Sequence, residues 1–143
     1  GQIGALVVLA GNPVLSAPGG QYIGEALDGL DLMVSIDMYI TETSVHADYI
    51  LPPCGPLQNE HYNLFFAPLS VRNYAHFSEA LLPKGENEKA DWEILHGITS
   101  AVRALNGAKP DPKIEPRDML DQILQNSPKK LDIKRIHNIS CEI

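Results

Sequence analysis

The sequence predicts an α/β fold, a doubly wound and mostly parallel sheet flanked by helices, and three features near its start carry that prediction. An apolar run over residues 3–10 stops at Gly11-Asn12-Pro13, a helical pattern follows, and a second apolar run over 32–36 delivers Asp37 at its end. Strand, crossover and parallel strand make a βαβ unit. Such a unit places both strand ends at the carboxyl edge of a sheet, where ligands bind.

Taken in order, the first run has the length and β-branched content of a strand, with Val7 and Val8 inside it. Its apolar residues fall on both faces, the pattern of a strand buried from both sides. Gly11 offers a position free to turn tightly, Asn12 tolerates turn geometry, and Pro13 biases the residue before it toward extended conformations. Over 21–29, with Leu30 just beyond, Ile23, Ala26, Leu27 and Leu30 repeat at helical spacing, and Gly29 suits that helix's end. Residues 38–46 form a polar crossover whose Thr41, Thr43 and Ser44 hydroxyls suit the cap of a short turn or helix. Tyr49, Ile50 and Leu51 make a third short strand, closed by Pro52-Pro53, which cannot continue an interior ladder. Asp48, just ahead of it, either accepts backbone N–H bonds locally or belongs to a site.

Between 55 and 85 no period dominates, and the segment reads as a long excursion with one or two short strands. Excursions of this size usually serve a function or pack on a neighbour. Residues 83–87 make a turn. Asp91 reads as the N-cap of a helix over 92–105, with Ile94, Leu95, Ile98, Val102 and Leu105 on one face and Gly107 beyond it. A proline-broken linker over 110–116 leads to a second helix over 117–125, whose Leu120, Ile123 and Leu124 pack inward before Asn126 and Pro128 end it. The tail over 129–143 holds Leu131, Ile133, Ile136 and Ile139 but no third partner helix. Its apolar groups are expected to have lost the surface they once met.

The chain has 143 residues, the size of one domain, able to bury roughly 70% of its unfolded surface. No apolar stretch reaches the roughly 18 to 20 residues of a membrane span, and no signal peptide is visible, so a cytoplasmic location is expected. The first strand begins almost at Gly1, and the chain reads as a segment of something larger. Cys54 and Cys141 are too few and too far apart for a metal cluster or a disulfide framework and read as free thiols. Charge is more informative. Up to Val71 there is no Lys or Arg, against seven acids, whereas from Arg72 onward eleven bases balance eleven acids. The net charge of -7 therefore sits in the first half and argues against nonspecific nucleic-acid or anionic-membrane binding. Any phosphate held there must be met by backbone N–H groups and helix dipoles, or by cations from Arg72 onward or from another domain.

Neither a dinucleotide G-x-G-x-x-G nor a phosphate-loop G-x-x-x-x-G-K-[ST] occurs. Gly-Asn-Pro after a strand is compatible with an ordinary turn or with a ligand loop. Asp37 is the sharper candidate, because a carboxylate can accept two parallel N–H bonds from guanine N1 and N2, a pattern adenine cannot offer. His46, His61, His76, His96 and His137 fall in no metal-binding spacing, and no serine occupies a G-x-S-x-G elbow. The residues thus suggest a binding surface with neither a catalytic nor a metal-ligating residue.

One ordered series ties these features together: Ala5-Leu6-Val7-Val8-Leu9-Ala10-Gly11-Asn12-Pro13, Glu25-Ala26-Leu27, Val34-Ser35-Ile36-Asp37, Thr41-Glu42-Thr43, Ala47-Asp48-Tyr49-Ile50-Leu51-Pro52, Glu60, Pro83-Lys84-Gly85-Glu86 and Asp91-Trp92-Glu93-Ile94-Leu95. In this order they resemble the molybdopterin oxidoreductases, the family of dimethyl sulfoxide reductase, formate dehydrogenase and nitrate reductase. The resemblance covers residues 11–98 well and, more loosely, the helix at Asp118-Met119-Leu120-Asp121 and the tail.

The resemblance implies a Rossmann-like guanine dinucleotide-binding core over 1–107, from an incomplete excised domain. The linker, C-terminal helix and tail over 108–143 then pack on that core or leave it. Gly11, Asn12 and Pro13 would line one nucleotide arm, Ile36 and Asp37 would hold guanine, and His61 and Asp91 would add polar contacts. The implied cofactor is molybdenum or tungsten bis(molybdopterin guanine dinucleotide), of which this segment meets one arm, with a 4Fe-4S cluster elsewhere in the parent. Its partners would be the remaining domains of the parent enzyme and an electron-transfer subunit, with no nucleic acid and no membrane segment. The family's usual Glu-x-x-Gly reads Glu60-His61-Tyr62-Asn63 here, which places Asn63 at an expected left-handed turn. Cys54 does not match the family's metal-ligand position, and its iron-sulfur cysteines and barrel domain have no counterpart, so the segment alone is expected to be inactive. The alternatives are a non-catalytic nucleotide-binding or subunit-interaction domain of the same fold, and a nicotinamide-binding fragment, which the missing glycine fingerprint disfavours.

Overall fold

The computed structural model describes residues 2–72 and 74–140. They form two compact units, Gly1–Gly55 with Lys84–Ala108, and Pro56–Pro83 with Lys109–Ile143. Residues 56–83 therefore go with the C-terminal segment, where the sequence reading keeps them in the 1–107 core. The reason is apolar: Phe77, within that excursion, is buried against the C-terminal helices.

In the first unit, β1 (Ala5–Leu9), β2 (Leu32–Ile36) and β3 (Tyr49–Ile50) form a parallel sheet in the order β1-β2-β3. The fold is α/β, as the sequence predicts. Helices α1 (Pro13–Ser16) and α2 (Gly20–Leu27) fill the first crossover. They approach so closely that a Cβ on Gly20 would lie 1.9 Å from the Val14 carbonyl oxygen, which only glycine permits.

β2 is the buried strand, with Met33, Ser35 and Ile36 almost wholly inaccessible. β1 differs from the expectation of burial on both sides, since Val7 and Leu9 remain 44% and 43% exposed. Among the described residues it is an edge strand, paired only with β2, and its alternate residues Ala5, Val7 and Leu9 are exposed. The charge at Asp48 is structural. Its Oδ2 accepts the Met33 N–H at 2.7 Å while its own N–H donates to the Met33 carbonyl at 2.9 Å, which pins the start of β3 to β2. A second clamp joins the 3-10 turn Ser44–His46 to the end of α2, where His46 Nδ1 lies 2.6 Å from Asp28 Oδ1.

α3 (Asp91–Leu105) starts one residue earlier than expected, so Ala90 rather than Asp91 holds the capping position. Glu93 supplies the cap from within, its Oε2 accepting the Ala90 N–H at 2.9 Å. The expected apolar face is only partly covered, since Val102 and Leu105 are exposed. Gly107, with φ 72°, follows the helix end.

The second unit pairs β4 (His61–Tyr62) and β5 (Phe77–Ser78) antiparallel and adds α4 (Pro116–Gln125) and α5 (Ile133–Ser140). The tail is thus helical, against the expectation of no third helix. Ile133 and Ile136 are buried with Phe77, Leu120 and Leu124, with Leu131 packed against them, so these three tail residues have their surface within this unit. Asp121 on α4 fixes the start of α5 by accepting the Ile133 N–H at 3.0 Å. Ile123 is the inward residue that does not follow expectation and stays 45% exposed. Asn63 is not left-handed: among the described residues only Ala10 and Lys130 carry positive φ without being glycine. Its side chain makes the turn instead, accepting the Phe66 N–H and donating to the Tyr74 hydroxyl. Cys141 and the side chains of His137 and Ile139 lie outside the described residues. Among those residues no helix is long and apolar enough to cross a membrane.

Candidate functional site

The register of the sheet brings the first two strand ends together. Leu9 pairs with Ile36, and the Ala10 N–H donates to the Ile36 carbonyl at 2.9 Å, the last bond before the chains leave the ladder. Gly11-Asn12-Pro13 and Asp37 consequently emerge side by side at the carboxyl edge. Leu51 closes the same edge from β3, its N–H donating to the Ser35 carbonyl at 2.8 Å. Asp91 stands at the start of α3. The Cys54 N–H donates to the Lys89 carbonyl at 2.8 Å, which seats the start of α3 beside the segment that leaves β3.

The turn after β1 differs in detail from the sequence reading. The left-handed residue is Ala10, with φ 48°, and not Gly11. That conformation costs a non-glycine residue on the order of 1 to 3 kcal/mol. A Cβ on Gly11 would meet the Leu9 carbonyl oxygen and Val8 Cγ1 at 3.6 Å and Pro13 Cδ at 3.9 Å, all ordinary contacts. The protein's own packing therefore does not demand glycine at position 11, and the bare Cα leaves room on its open side. Among the described residues the N–H groups of Gly11 and Asn12 have no hydrogen-bond partner.

Glu42 and Thr43, which local sequence patterns do not mark as site residues, complete this edge. Asn12 Nδ2 donates to Glu42 Oε2 at 2.6 Å, and Thr43 Oγ1 donates to Asn12 Oδ1 at 2.8 Å while accepting the Val14 N–H at 3.0 Å. The bond from Asn12, and then one from its own backbone, hold the exposed Glu42 carboxyl below the usual glutamate range. The signal was the hydroxyl-rich stretch Thr41-Glu42-Thr43-Ser44, readable as a cap, but nothing local says that it would clasp a turn some thirty residues earlier.

Ile36 is fully buried and Asp37 half-buried. Asp37 Oδ1 accepts the Tyr39 N–H at 3.0 Å, which orients the carboxylate, while Oδ2 has no partner among the described residues. Since each carboxylate oxygen carries two lone pairs, both oxygens can still accept from a planar pair of N–H donors.

His61 lies on β4 in the second unit, bordering a cavity of about 290 Å³ with Tyr62, Leu64, Phe77, Arg117 and Ile123. Burial, and then the neighbouring Tyr74, push the Tyr62 hydroxyl above its ordinary range. Arg117 is ion-paired to Glu60 and Glu79 and sits 5.1 Å above the Phe77 ring, a cation–π contact that holds its charge in place. A larger cavity, about 760 Å³, opens in the first unit between β1 and α2, lined by Ile3, Leu6, Tyr22, Ile23 and Leu27. Its lining is mostly apolar, with Gln2 and Glu25 among the polar exceptions. Cys54 is a buried thiol and not half of a disulfide. Among the described residues no group of three His, Cys, Asp or Glu side chains is placed to hold a metal ion.

No protein-family model matches the chain. It is 32% identical over 102 residues to the assimilatory nitrate reductase catalytic subunit of Bacillus subtilis (strain 168), covering 71% of this chain and 14% of that protein. It is 28% identical over 102 residues to formate dehydrogenase H of Escherichia coli (strain K12), with the same coverage of 71% and 14%. Over 92 residues it is 29% identical to the thiosulfate reductase molybdopterin-containing subunit of Salmonella typhimurium, covering 64% of this chain and 12% of that subunit. The chain thus spans 12% to 14% of the length of these relatives.

Proposed function

Because this chain belongs to the molybdopterin oxidoreductase family, we propose that its first unit is part of a Rossmann-like, doubly wound cofactor domain. In this reading it anchors one guanine dinucleotide arm of a molybdenum or tungsten bis-pterin cofactor. The parent enzyme would carry out oxygen-atom or two-electron transfer, with further domains, a 4Fe-4S cluster and an electron-transfer subunit supplying the rest.

The observation that supports this most is the pairing of Gly11-Asn12 with Asp37 at one sheet edge, enforced by the bond from Ala10 to Ile36. The residues present fit the arm. The uncommitted N–H groups of Gly11 and Asn12 suit its phosphate oxygens, and the open side of Gly11 allows backbone to approach closely. Asp37 suits the N1 and N2 donors of guanine; Ile36, itself fully buried, seats Asp37 at the strand end, and Pro13 adjoins the turn. Asp91 is proposed to add a polar contact. When bound, the metal bis-pterin supplies the redox centre. This chain's part is to bind and orient one arm, with its phosphate charge neutralised by cations from elsewhere in the parent, since none precedes Arg72.

Titration of the chain with GDP, GMP and ADP, followed by amide chemical shifts, tests the reading. A preference for guanine that Asp37→Ala abolishes is expected, with shifts centred on Gly11, Asn12 and Asp37. Equal binding of ADP, or guanine binding indifferent to Asp37→Ala, would overturn it. The isolated chain is expected to hold no molybdenum and turn over no substrate; stoichiometric metal with dye-coupled oxidation would refute that part.

A further inference from the structure

We propose that Thr43 is the positioning residue of this edge: its buried hydroxyl fixes the Asn12 side chain, and through it the course of the Gly11-Asn12-Pro13 turn that the nucleotide arm meets. The identity of the ligand rests on the function proposed above, while the clasp itself does not.

Thr43 has no solvent-accessible surface. Its single hydroxyl accepts the Val14 N–H and donates its only hydrogen to Asn12 Oδ1. These partners stand 29 and 31 positions earlier, so one side chain joins the turn after β1 to the loop after β2. The direction of the Asn12 amide follows from the same bonds. The Thr43 oxygen accepts from Val14, and Oδ1 is the acceptor that its hydrogen finds. Nδ2 then has to face Glu42, where it finds a carboxylate at 2.6 Å. The flipped amide would set two donors against Thr43 and an oxygen against a carboxylate.

One consequence revises the role of Asn12. Each end of its side chain is held by a protein partner, which fixes its direction, while the Asn12 backbone N–H stays open to a ligand. Asn12 supports with its side chain and contacts with its main chain. Without Thr43 the turn keeps its sequence but loses what holds its side chain in one direction.

The test compares Thr43→Val, which keeps shape and removes the hydroxyl, with Thr43→Ser, which restores it. In Thr43→Val the Val14 amide should exchange faster by about tenfold, the scale of one lost hydrogen bond. The Glu42 carboxyl should titrate at higher pH than in the parent chain, and GDP affinity should fall about tenfold. Thr43→Ser should return all three toward parental values. Asn12→Ala, which leaves Thr43 in place, should raise the Glu42 titration in the same way and serves if Thr43→Val does not fold. Unchanged Val14 exchange and Glu42 titration in Thr43→Val would overturn the proposal, as would an unchanged Glu42 titration in Asn12→Ala. If the parent chain shows no guanine preference, the functional reading fails while the exchange and titration results still decide the clasp. If GDP binds the parent and Thr43→Val alike although the clasp is broken, the positioning role is refuted and the functional reading stands.

Discussion

Gly20→Ala sets two physical effects against each other with opposite signs. Gly20 is the first residue of α2, and helix propensity alone predicts a gain of about 1 kcal/mol on replacing glycine by alanine. The structure predicts the reverse. The new methyl would lie 1.9 Å from the carbonyl oxygen and 2.9 Å from the carbonyl carbon of Val14, both main-chain atoms that no rotamer change can move. To reach the 3.4 Å at which contact becomes ordinary, α1 and α2 must part by about 1.5 Å. Overpacking of this kind costs about 3 kcal/mol, which leaves a net loss of about 2 kcal/mol after the propensity gain. For a unit of this size that is a fall in melting temperature of roughly 8 to 16 °C. Thermal unfolding followed by circular dichroism and by amide resonances of the first unit measures it, with Gly11→Ala as the control because its methyl meets only ordinary contacts. A Gly20→Ala chain that melts at or above the parental temperature would show that the close approach of α1 to α2 does not constrain the fold.

Three further outcomes follow from other parts of the molecule. Asp48→Ala leaves the buried Met33 N–H without its charged acceptor and should cost about 1 to 3 kcal/mol in urea unfolding of the first unit; Asp48→Asn, which keeps an acceptor, should cost less. Ile136→Ala opens a cavity beside Phe77 and Leu124 and should destabilise the second unit by about 2 to 5 kcal/mol, read from amide exchange on α4. The depressed Glu42 carboxyl implies that its bond to Asn12 contributes fully above the unfolded glutamate range and is lost as pH falls through the folded value. An acid titration should therefore release the Asn12 side-chain amide below the ordinary glutamate range, and a release at higher pH would contradict the sign.

The parts of this fold legible in the sequence are those written in local patterns. β2 is a short apolar run with β-branched Val34 and Ile36, the helix over 91–105 has a clear period, and the Gly-Asn-Pro turn and Asp37 fall where a βαβ unit puts strand ends. Exposure of β1 is not legible, because an edge strand and a central one carry the same apolar residues until their neighbours are known. The helix at the tail is hidden for a related reason. Ile133 and Ile136 have helical spacing, but their burial depends on Phe77, more than fifty residues earlier, and on a left-handed Lys130 that turns the chain back. Thr43 shows the limit most clearly. As a residue it is an ordinary hydroxyl in a polar loop, and only its meeting with Asn12 and Val14 makes it a clasp. The turn itself shows that a glycine need not mark the left-handed position, which here belongs to the alanine before it.

The open side of β1 has a practical meaning for anyone handling this chain. From Ala5 to Leu9 the strand contains no charge, no proline and no bulge, the devices by which soluble proteins discourage stray pairing. Its outer backbone groups and the exposed Val7 and Leu9 are the features of a strand edge open to pairing. Strand-to-strand association is therefore expected to rise with concentration, which a dilution series by sedimentation would read. A lysine in place of Val7 is the smallest gatekeeper that would keep the molecule dispersed while leaving the strand ends untouched.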